Sequence, residues 1–221
     1  MHPLVSCVLC TRNNRHMIPV AIASYLSQYW PNKELVVVDD GEDCIYDLVK
    51  DIPGVVIPHL DAKAPNLSVK RNIAARAARG EILMHLDSDD WSAPTRIHHQ
   101  VEALRSVPGA QLSGYHTAYF WDEIDTQASC YHGPHNYSWG PCLCYYREFV
   151  LANPWPEWIA FCEDNNFVQV AQQRNQMVAV DGSGQIVVRL HKDNGRRAYG
   201  VGDWPLIPTE QLPKDFLQLI T

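Results

Sequence analysis

Short apolar runs alternate with longer stretches of helical periodicity in the first half of the chain. Four of these runs predict buried strands, at 4–9, 34–40, 55–60 and 81–86. Two stretches between them, 18–29 and 68–81, predict helices, with Ser68 as the N-cap and Gly80 as the stop of the second. This alternation is typical of an α/β fold in which helices cross between the strands of a mostly parallel sheet.

The second half of the chain is less regular and predicts a smaller region of mixed structure. It is rich in Trp, Tyr, His and Pro, with short strand-like runs at 111–120 and 141–146. Helical character is expected at 94–105 and returns at 163–173.

Composition favours one packed domain. The 221 residues are 46% hydrophobic, and no repeat, low-complexity tract or linker divides them. We therefore expect a single domain over 1–221, with about 1–105 as one half and 106–221 as the other. The sequence has neither a long apolar window nor a signal-peptide pattern, so we expect a cytoplasmic protein with no integral membrane segment.

Polar side chains follow three of the predicted strands at the point where each strand ends. Thr11 and Arg12 follow the first strand, Asp39 and Asp40 the second, and 87–90 the fourth. Ligands of open parallel sheets bind beyond the carboxyl ends of the strands. We therefore expect one cleft to collect all three groups.

The segment HLDSDDW places three carboxylates, Asp87, Asp89 and Asp90, within four positions. Asp90 or Ser92 is a suitable cap for the next helix, but one cap uses only one carboxylate. Two carboxylates one residue apart at a strand end can share a hard divalent cation that also bridges phosphate oxygens. Mg²⁺ or Mn²⁺ with a diphosphate is the expected partner.

The net charge of −7 disfavours a general electrostatic interaction with nucleic acid. Two basic groups still allow a local basic groove: Lys70, Arg71, Arg76 and Arg79, and His191, Lys192, Arg196 and Arg197. The alternative interpretation of these groups is a solvated charged surface.

The seven cysteines are an odd number, and several lie inside apolar runs, which predicts reduced, mostly buried thiols. Cys7 and Cys10 have the spacing of a zinc pair. In an extended strand, however, they point to opposite faces, so structural zinc is not expected.

Three segments, VSCVLCTRNN, ELVVVDDGEDC and RNIAARAARGEILMHLDSDDWSAPTRI, occur in this order and spacing. Together they resemble the nucleotide-sugar-binding half of family 2 glycosyltransferases, which have the Rossmann-like GT-A fold. The resemblance is strong over 4–105 and continues more weakly at 161–171 and 187–197. It implies an inverting, metal-dependent glycosyltransferase that moves a sugar from a nucleoside-diphosphate sugar, UDP-sugar first, to a hydroxyl acceptor.

The resemblance also implies which residues bind the donor: Thr11, Arg12, Asp40, Arg71, Asp87, Ser88 and Asp90. Thr11 and Asp40 match positions that hold the nucleotide base. Arg71 lies near a helix start, where its guanidinium can meet phosphates. A surface ion pair is the alternative role of Arg71.

The same resemblance assigns the metal to Asp89, Asp87 and His191. Asp89 matches the ligand that bridges the diphosphate, and His191, in RLHKDN, matches a late histidine that closes the metal site. A structural or solvated histidine is the alternative interpretation of His191. Asn194, Arg196 and Arg197 are expected in a loop that orders over the donor.

Catalysis is assigned by resemblance to the segment CEDNNF. Asp164 is the expected general base, and Glu163 supports it. The alternative is that both carboxylates only cap and charge the first turn of the helix at 163–173.

The acceptor is predicted to contact aromatic side chains, Trp139, Tyr115, His116 and Trp121. These rings can stack on sugars or on a nucleobase, and core packing is their alternative role. A carbohydrate, a small molecule and a modified DNA base all remain open as acceptors, with nucleic acid disfavoured by the net charge.

Two other classes stay open. A nucleotidyltransferase would also use an acidic metal site, but no glycine-rich triphosphate loop lies near the first strand. A non-catalytic nucleotide-sugar-binding module is disfavoured because the acidic motif, the Glu-Asp pair and the late histidine are all present.

Overall fold

Two sheets organise the part of the chain that the computed structural model describes, residues 2–159, 162–192 and 204–220. The strands are β1 (Val5–Thr11), β2 (Lys33–Asp39), β3 (Val55–Val56), β4 (Ile82–His85), β5 (Trp91–Ser92), β6 (Leu112–Tyr115), β7 (Thr117–Asp122), β8 (Gln127–His132), β9 (Cys144–Tyr146), β10 (Met177–Val180), β11 (Ile186–Leu190) and β12 (Leu206–Ile207). The helices are α1 (Ile18–Leu26), α2 (Tyr46–Val49), α3 (Leu67–Ala77), α4 (Arg96–Ser106), α5 (Arg147–Ala152), α6 (Glu163–Gln173) and α7 (Lys214–Ile220).

The larger sheet has the order β10-β6-β9-β4-β1-β2-β3. All neighbouring strands in it are parallel except β9, which is antiparallel to both β4 and β6. The smaller sheet, β12-β8-β7-β11-β5, is mixed. The α/β class with a mostly parallel central sheet and a smaller mixed region is therefore confirmed. Strands from both halves of the chain pair within the larger sheet.

The predicted strands and helices of the first half are present, most of them shorter than predicted, although β1 continues to Thr11 and β2 begins at Lys33. β3 covers only two residues at the edge of its sheet, and Pro58 after it has no backbone N–H for a ladder. In the second half, the run at 111–120 divides into β6 and β7. The helix predicted at 163–173 is confirmed as α6.

The crossover helix α3 begins one residue earlier than predicted. Asn66 is its N-cap, because Asn66 Oδ1 accepts a hydrogen bond from Val69 N at 3.1 Å. Ser68 lies inside the first turn and is buried, so the prediction that Ser68 caps the helix was wrong.

The helix after the acidic segment has no side-chain cap. Thr95 occupies the N-cap position of α4 without a capping hydrogen bond. Ser92 lies in β5, and Asp90 Oδ1 instead accepts a hydrogen bond from Arg189 N at 3.0 Å. Neither of the predicted caps acts as one, which leaves the acidic segment for another role.

Side chains on the two faces of the larger sheet form separate apolar layers. Along β1, Val5, Cys7 and Leu9 contribute to one layer, whereas Val8 packs into the other and Cys10 lies against it. Each aliphatic side chain buried in this way stabilises the fold by about 1.5–3 kcal/mol.

All seven cysteines are free. Within the described ranges, no helix combines the length and the apolar character that a membrane crossing requires.

A buried carboxylate ties β1, β2 and the α3–β4 turn together. Glu34 on β2 is 1% exposed, and its Oε1 accepts hydrogen bonds from Ser6 Oγ at 2.6 Å and from Arg79 N at 2.7 Å. Gly80 N lies 3.3 Å from the same oxygen. Gly80 was predicted to stop the helix, but the helix already ends at Ala77. A Cβ at Gly80 would lie 2.5 Å from Ser6 Oγ, so close packing requires this glycine.

We expect Glu34→Gln to lower the free energy of unfolding by about 1–3 kcal/mol, because an amide cannot accept all the hydrogen bonds that this buried carboxylate accepts. Chemical denaturation of both proteins measures the difference. Glu81→Gln is the matched control, since Glu81 is exposed in the same turn. Equal stabilities of the two variants would contradict this role of Glu34.

Candidate functional site

The three polar groups predicted to share one edge of the sheet lie together. β4, β1 and β2 are adjacent and parallel, so their carboxyl ends meet, and Thr11 is the register partner of Asp39. Asn14 Nδ2, after β1, donates a hydrogen bond to Ser88 Oγ, after β4, at 3.2 Å. The three groups therefore share one edge of the sheet, and a ligand-binding cleft at this edge stays a prediction.

Asp40 is the charged centre of the β2 side of this cleft. Its side chain is 1% exposed and accepts hydrogen bonds from Arg12 Nε at 3.0 Å, Lys70 Nζ at 2.9 Å and Ala64 N at 3.0 Å. Burial alone would raise the pKa of Asp40, but the hydrogen bonds from Arg12 and Lys70 outweigh it and lower the pKa to about 2. Asp40 is therefore ionised and engaged by protein donors, so accepting a base N–H would require one of these donors to move.

Thr11 offers a different kind of contact at the same edge. Its carbonyl oxygen accepts a hydrogen bond from Lys70 Nζ at 2.9 Å. Its hydroxyl is buried and has no hydrogen-bond partner within the described ranges. Such a group in a cleft is suited to a polar ligand atom.

Hydrogen bonds join the acidic segment after β4 to strand β11 and to His191, the residue directly after β11. Asp90 holds the backbone of Arg189, as described above, and Asp89 Oδ2 lies 3.0 Å from His191 Nε2. Burial raises the pKa of Asp90 well above its ordinary value, and the charges of Asp89 and Asp87 raise it further. Burial also raises the pKa of Asp87 to about 6, although Arg71 opposes the shift. The carboxylates are thus crowded with negative charge.

The residues at this position fit a divalent cation. Asp89 Oδ2 and His191 Nε2 lie 3.0 Å apart and would offer an oxygen and a nitrogen ligand, and the charge of Asp89 raises the pKa of Asp87. His191 Nδ1 is buried without a hydrogen-bond partner among the residues described. In the same ranges, no three His, Cys, Asp or Glu side chains already surround one ion position. A cation here would compensate the crowded carboxylates.

The start of α6 brings two further carboxylates to the cleft. Asp164 Oδ2 accepts a hydrogen bond from Gly140 N at 2.9 Å, and Asp164 Oδ1 accepts one from Asn165 N at 3.0 Å. Glu163 Oε1 accepts a charged hydrogen bond from Arg71 Nη1 at 2.6 Å. Neutral backbone amides therefore bind Asp164, whereas a cationic side chain binds Glu163.

Arg71 connects the acidic segment with α6. It is 3% exposed, and its guanidinium lies 4.4 Å above the ring of Trp155. Burial would lower the pKa of Arg71, but Asp87 and Glu163 outweigh it and raise the pKa. The surface ion pair considered as an alternative is wrong, since Arg71 is buried. A direct contact with donor phosphates stays a prediction.

His85 is a supporting residue that sequence reasoning missed. Its Nδ1 lies 2.7 Å from Gly140 O, and its Nε2 lies 2.8 Å from the Tyr145 hydroxyl. A carbonyl only accepts, so Nδ1 donates and Nε2 accepts from Tyr145. Burial and the charge of Arg71 lower the pKa of His85 well below its ordinary value, which keeps the ring neutral. His85 thus fixes the position of Gly140, and the amide of Gly140 binds Asp164.

Arg96 is the second residue that was missed. It is fully buried, and its guanidinium donates to Ser92 Oγ at 2.7 Å, Gln100 Oε1 at 3.2 Å and the carbonyl oxygen of Pro141. Its charge lowers the pKa of Asp87. Nothing in the local sequence distinguishes Arg96 from a surface arginine, and only its position in the fold gives it this role.

Two of the predicted acceptor contacts belong to the core. Tyr115 is fully buried, with its hydroxyl 3.2 Å from His99 Nδ1. Trp121 is 9% exposed and packs in an apolar cluster with Phe216. Their burial prevents contact with an acceptor in this conformation, which corrects the prediction for both residues.

The other two predicted acceptor contacts are only partly buried. Trp139 packs against Tyr131 with ring centroids 4.2 Å apart and the ring planes tilted by 43°, and it directly precedes Gly140. His116 Nε2 lies 3.2 Å from His135 Nδ1. The predicted donor loop with Asn194, Arg196 and Arg197 lies outside the described residues.

The mixed α/β sheet with acidic residues at its strand ends has the architecture of the GT-A glycosyltransferases. Staphylococcus aureus TarS 1–349 in complex with UDP-GlcNAc matches with a TM-score of 0.71 and 18% identity, over 89% of this chain and 61% of that one. The mannosyltransferase PcManGT from Pyrobaculum calidifontis, in complex with GDP-Man and Mn²⁺, matches with a TM-score of 0.69 and 16% identity, over 90% and 60%. At these identities the likeness shows the fold.

The family profile described as glycosyl transferase family 2 matches residues 6–137, more than half of the sequence, and the chain belongs to this family. Escherichia coli UDP-Glc:alpha-D-GlcNAc-diphosphoundecaprenol beta-1,3-glucosyltransferase WfaP is 29% identical over 105 residues, 47% of this chain and 42% of that protein. Putative colanic acid biosynthesis glycosyl transferase WcaA of Escherichia coli K12 is 31% identical over 101 residues, 43% and 36%. The matched segments cover less than half of each of these two relatives.

We expect Asp40→Asn to lower the free energy of unfolding at neutral pH by about 3–5 kcal/mol, because the buried Lys70 loses its counter-charge. The folded-state pKa of Asp40 is depressed to about 2, below its ordinary value of 3.8. The stabilisation is therefore complete above pH 3.8 and is lost as the pH falls towards 2. Denaturation of both proteins at several pH values measures this. Asp47→Asn, which removes an exposed partner of Arg15, is the control and should change stability little.

Proposed function

We propose that this protein is an inverting, metal-dependent glycosyltransferase that moves a sugar from a nucleoside-diphosphate sugar to an acceptor hydroxyl. The observation that carries this proposal is the meeting of the acidic segment after β4 with the carboxylates of α6, with Arg71 in contact with Glu163 and close to Asp87. Membership of glycosyl transferase family 2 supports it. A donor cleft and a proton acceptor on opposite sides of one reacting carbon are what such a transfer requires.

The donor side lies at the ends of β1 and β2. Thr11, with its unbonded buried hydroxyl, and the Arg12–Asp40 pair would contact the nucleotide base. Asp87 and Ser88 would contact the ribose. A UDP-sugar is the first donor to test, because the name of WfaP specifies UDP-Glc and TarS was solved with UDP-GlcNAc. PcManGT, with GDP-Man, makes a GDP-sugar the second.

Asp89, His191 and Asp87 would hold the divalent cation. Carboxylate oxygens suit Mg²⁺ and Mn²⁺ equally, whereas an imidazole ligand favours Mn²⁺. A bound cation would neutralise the charge that develops on the leaving diphosphate. Asp90 binds the backbone of Arg189 and therefore shapes the loop that presents Asp87 and Asp89.

Asp164 is the proposed general base. It would take the proton of the acceptor hydroxyl as that oxygen bonds to the anomeric carbon and the bond to the diphosphate oxygen breaks. One displacement of this kind inverts the anomeric configuration. Glu163 would support this step as a positioning residue, since it pairs with Arg71. The Gly140 amide fixes the orientation of the base.

We expect Asp89→Ala to abolish metal-dependent donor binding. The loss should exceed the tenfold to hundredfold loss of metal affinity that follows removal of an outer-shell partner. Thermal shifts with UDP-, TDP-, GDP- and CDP-sugars, each with and without Mn²⁺, measure it. Asp51→Ala is the control, because Asp51 is an exposed carboxylate that follows α2. Normal metal-dependent donor affinity in the Asp89 variant would remove Asp89 from the site.

We expect Asp164→Asn to lower turnover by at least about 100-fold while the donor affinity stays unchanged, because the amide cannot accept the acceptor proton. Release of the nucleoside diphosphate and the donor dissociation constant are the two measurements. Asp215→Asn is a suitable control, since Asp215 is an exposed carboxylate in the first turn of α7. Near-normal turnover of the Asp164 variant would assign the proton to another acceptor.

A further inference from the structure

A groove of about 240 Å³ lies along α6 beside the proposed base. Its lining consists of Tyr137, Asn165, Asn166, Gln169 and Gln172. The four amide residues follow Asp164 by one, two, five and eight positions on the helix. At a rise of about 1.5 Å per residue, the groove extends along the helix axis to roughly 12 Å beyond Asp164.

All of the lining side chains are neutral groups that can form hydrogen bonds. Four primary amides each offer two N–H donors and a carbonyl acceptor, and Tyr137 adds a hydroxyl and an aromatic face. The hydroxyls of a sugar ring also act both as donors and as acceptors. None of the five lining side chains is charged at neutral pH. Phosphate, sulfate or a nucleic-acid backbone would require arginine or lysine in the lining.

Part of the groove is held in place by the protein. The Tyr137 hydroxyl donates to Asn165 Oδ1 at 2.5 Å, and Gln172 Nε2 donates to Asn136 O at 2.6 Å. The opposite face of α6 is anchored by the buried side chains of Phe167, Val168 and Ala171. The amides are therefore presented on a rigid element, as a binding site requires.

The two amides in the middle of the groove are available to a ligand. Asn166 and Gln169 are exposed and make no side-chain hydrogen bond within the described ranges. Charged residues are the usual choice for the solvent face of a helix, and asparagine is among the poorer helix formers. A solvated surface would therefore favour other residues at these positions.

We propose that the groove is an acceptor subsite that binds a neutral saccharide chain, one or two sugar units away from the hydroxyl that reacts at Asp164. This inference rests on the proposed function and deepens it by naming the class of acceptor. The volume is below the roughly 300–1,000 Å³ of pockets that hold drug-sized ligands, which suits one or two sugar rings. A modified DNA base is disfavoured, because a nucleic-acid chain would need positive charge along the groove.

Gln169→Ala and Gln169→Glu test the groove, with Gln173→Ala as the matched control on the same helix outside the lining. The probes are an immobilised panel of neutral oligosaccharides, their phosphorylated and sulfated counterparts, and a single-stranded DNA oligonucleotide. We expect the unmodified protein to prefer neutral oligosaccharides. Both Gln169 variants should weaken that binding at least tenfold, and the Gln173 variant should leave it unchanged.

Donor binding is measured in the same proteins as thermal shifts with the UDP- and GDP-sugars and Mn²⁺, and it should be equal in all of them. Strongest binding to the anionic probes or to DNA would overturn the saccharide subsite. So would the absence of binding to every neutral oligosaccharide, or equal losses in the Gln169 and Gln173 variants. Absence of donor binding in the unmodified protein, with oligosaccharide binding that still depends on Gln169, would instead contradict the proposed glycosyltransferase and leave the saccharide groove supported.

Discussion

Negative charge crowded at one edge of the sheet is the constraint on which the rest of the site depends. The acidic segment and the start of α6 bring five carboxylates to the ends of the parallel strands. Arg71 compensates part of this charge through its pair with Glu163, and Arg96 compensates another part from inside the core. A buried guanidinium is costly without nearby negative charge, so these cations and carboxylates stabilise one another. The remaining excess on Asp87 and Asp90 is what a divalent cation and its ligand would relieve.

Buried groups that carry no charge hold Asp164 at the same edge of the sheet. His85 is neutral, donates to the carbonyl of Gly140 and accepts from Tyr145, and the amide of Gly140 donates to Asp164. A protonated ring at His85 would lose the hydrogen bond from Tyr145 and add a charge in the core. The orientation of Asp164 therefore depends on a buried hydrogen-bond chain that begins on β4, the strand that also delivers the acidic segment.

The sequence was sufficient for features that depend on local pattern. Apolar runs followed by polar residues located the strand ends, and the order of strands and helices implied that those ends share an edge. Local sequence pattern was insufficient to predict features that depend on contacts between distant segments. The N-cap of α3 is Asn66, two residues before the predicted Ser68, because the helix begins at Leu67. The burial of Tyr115, and the role of His85 beneath Gly140, follow from strand pairings with β9 and β10 that no local pattern encodes.

Adjacent carboxylates at the start of α6 show how environment alone can separate two roles. Glu163 pairs with the buried guanidinium of Arg71, whereas the hydrogen bonds that Asp164 accepts come from the backbone amides of Gly140 and Asn165. Beyond Asp164, the helix face changes from carboxylates to neutral amides within two residues. The carboxylates thus lie on the side where a diphosphate and a cation would bind, whereas the side chains that line the groove carry no charge. A neutral chain lying on the amides would approach the base without repulsion from the acidic segment. Under the proposed function, an anionic chain would meet the crowded carboxylates at its reacting end, so this charge distribution would favour the neutral acceptor.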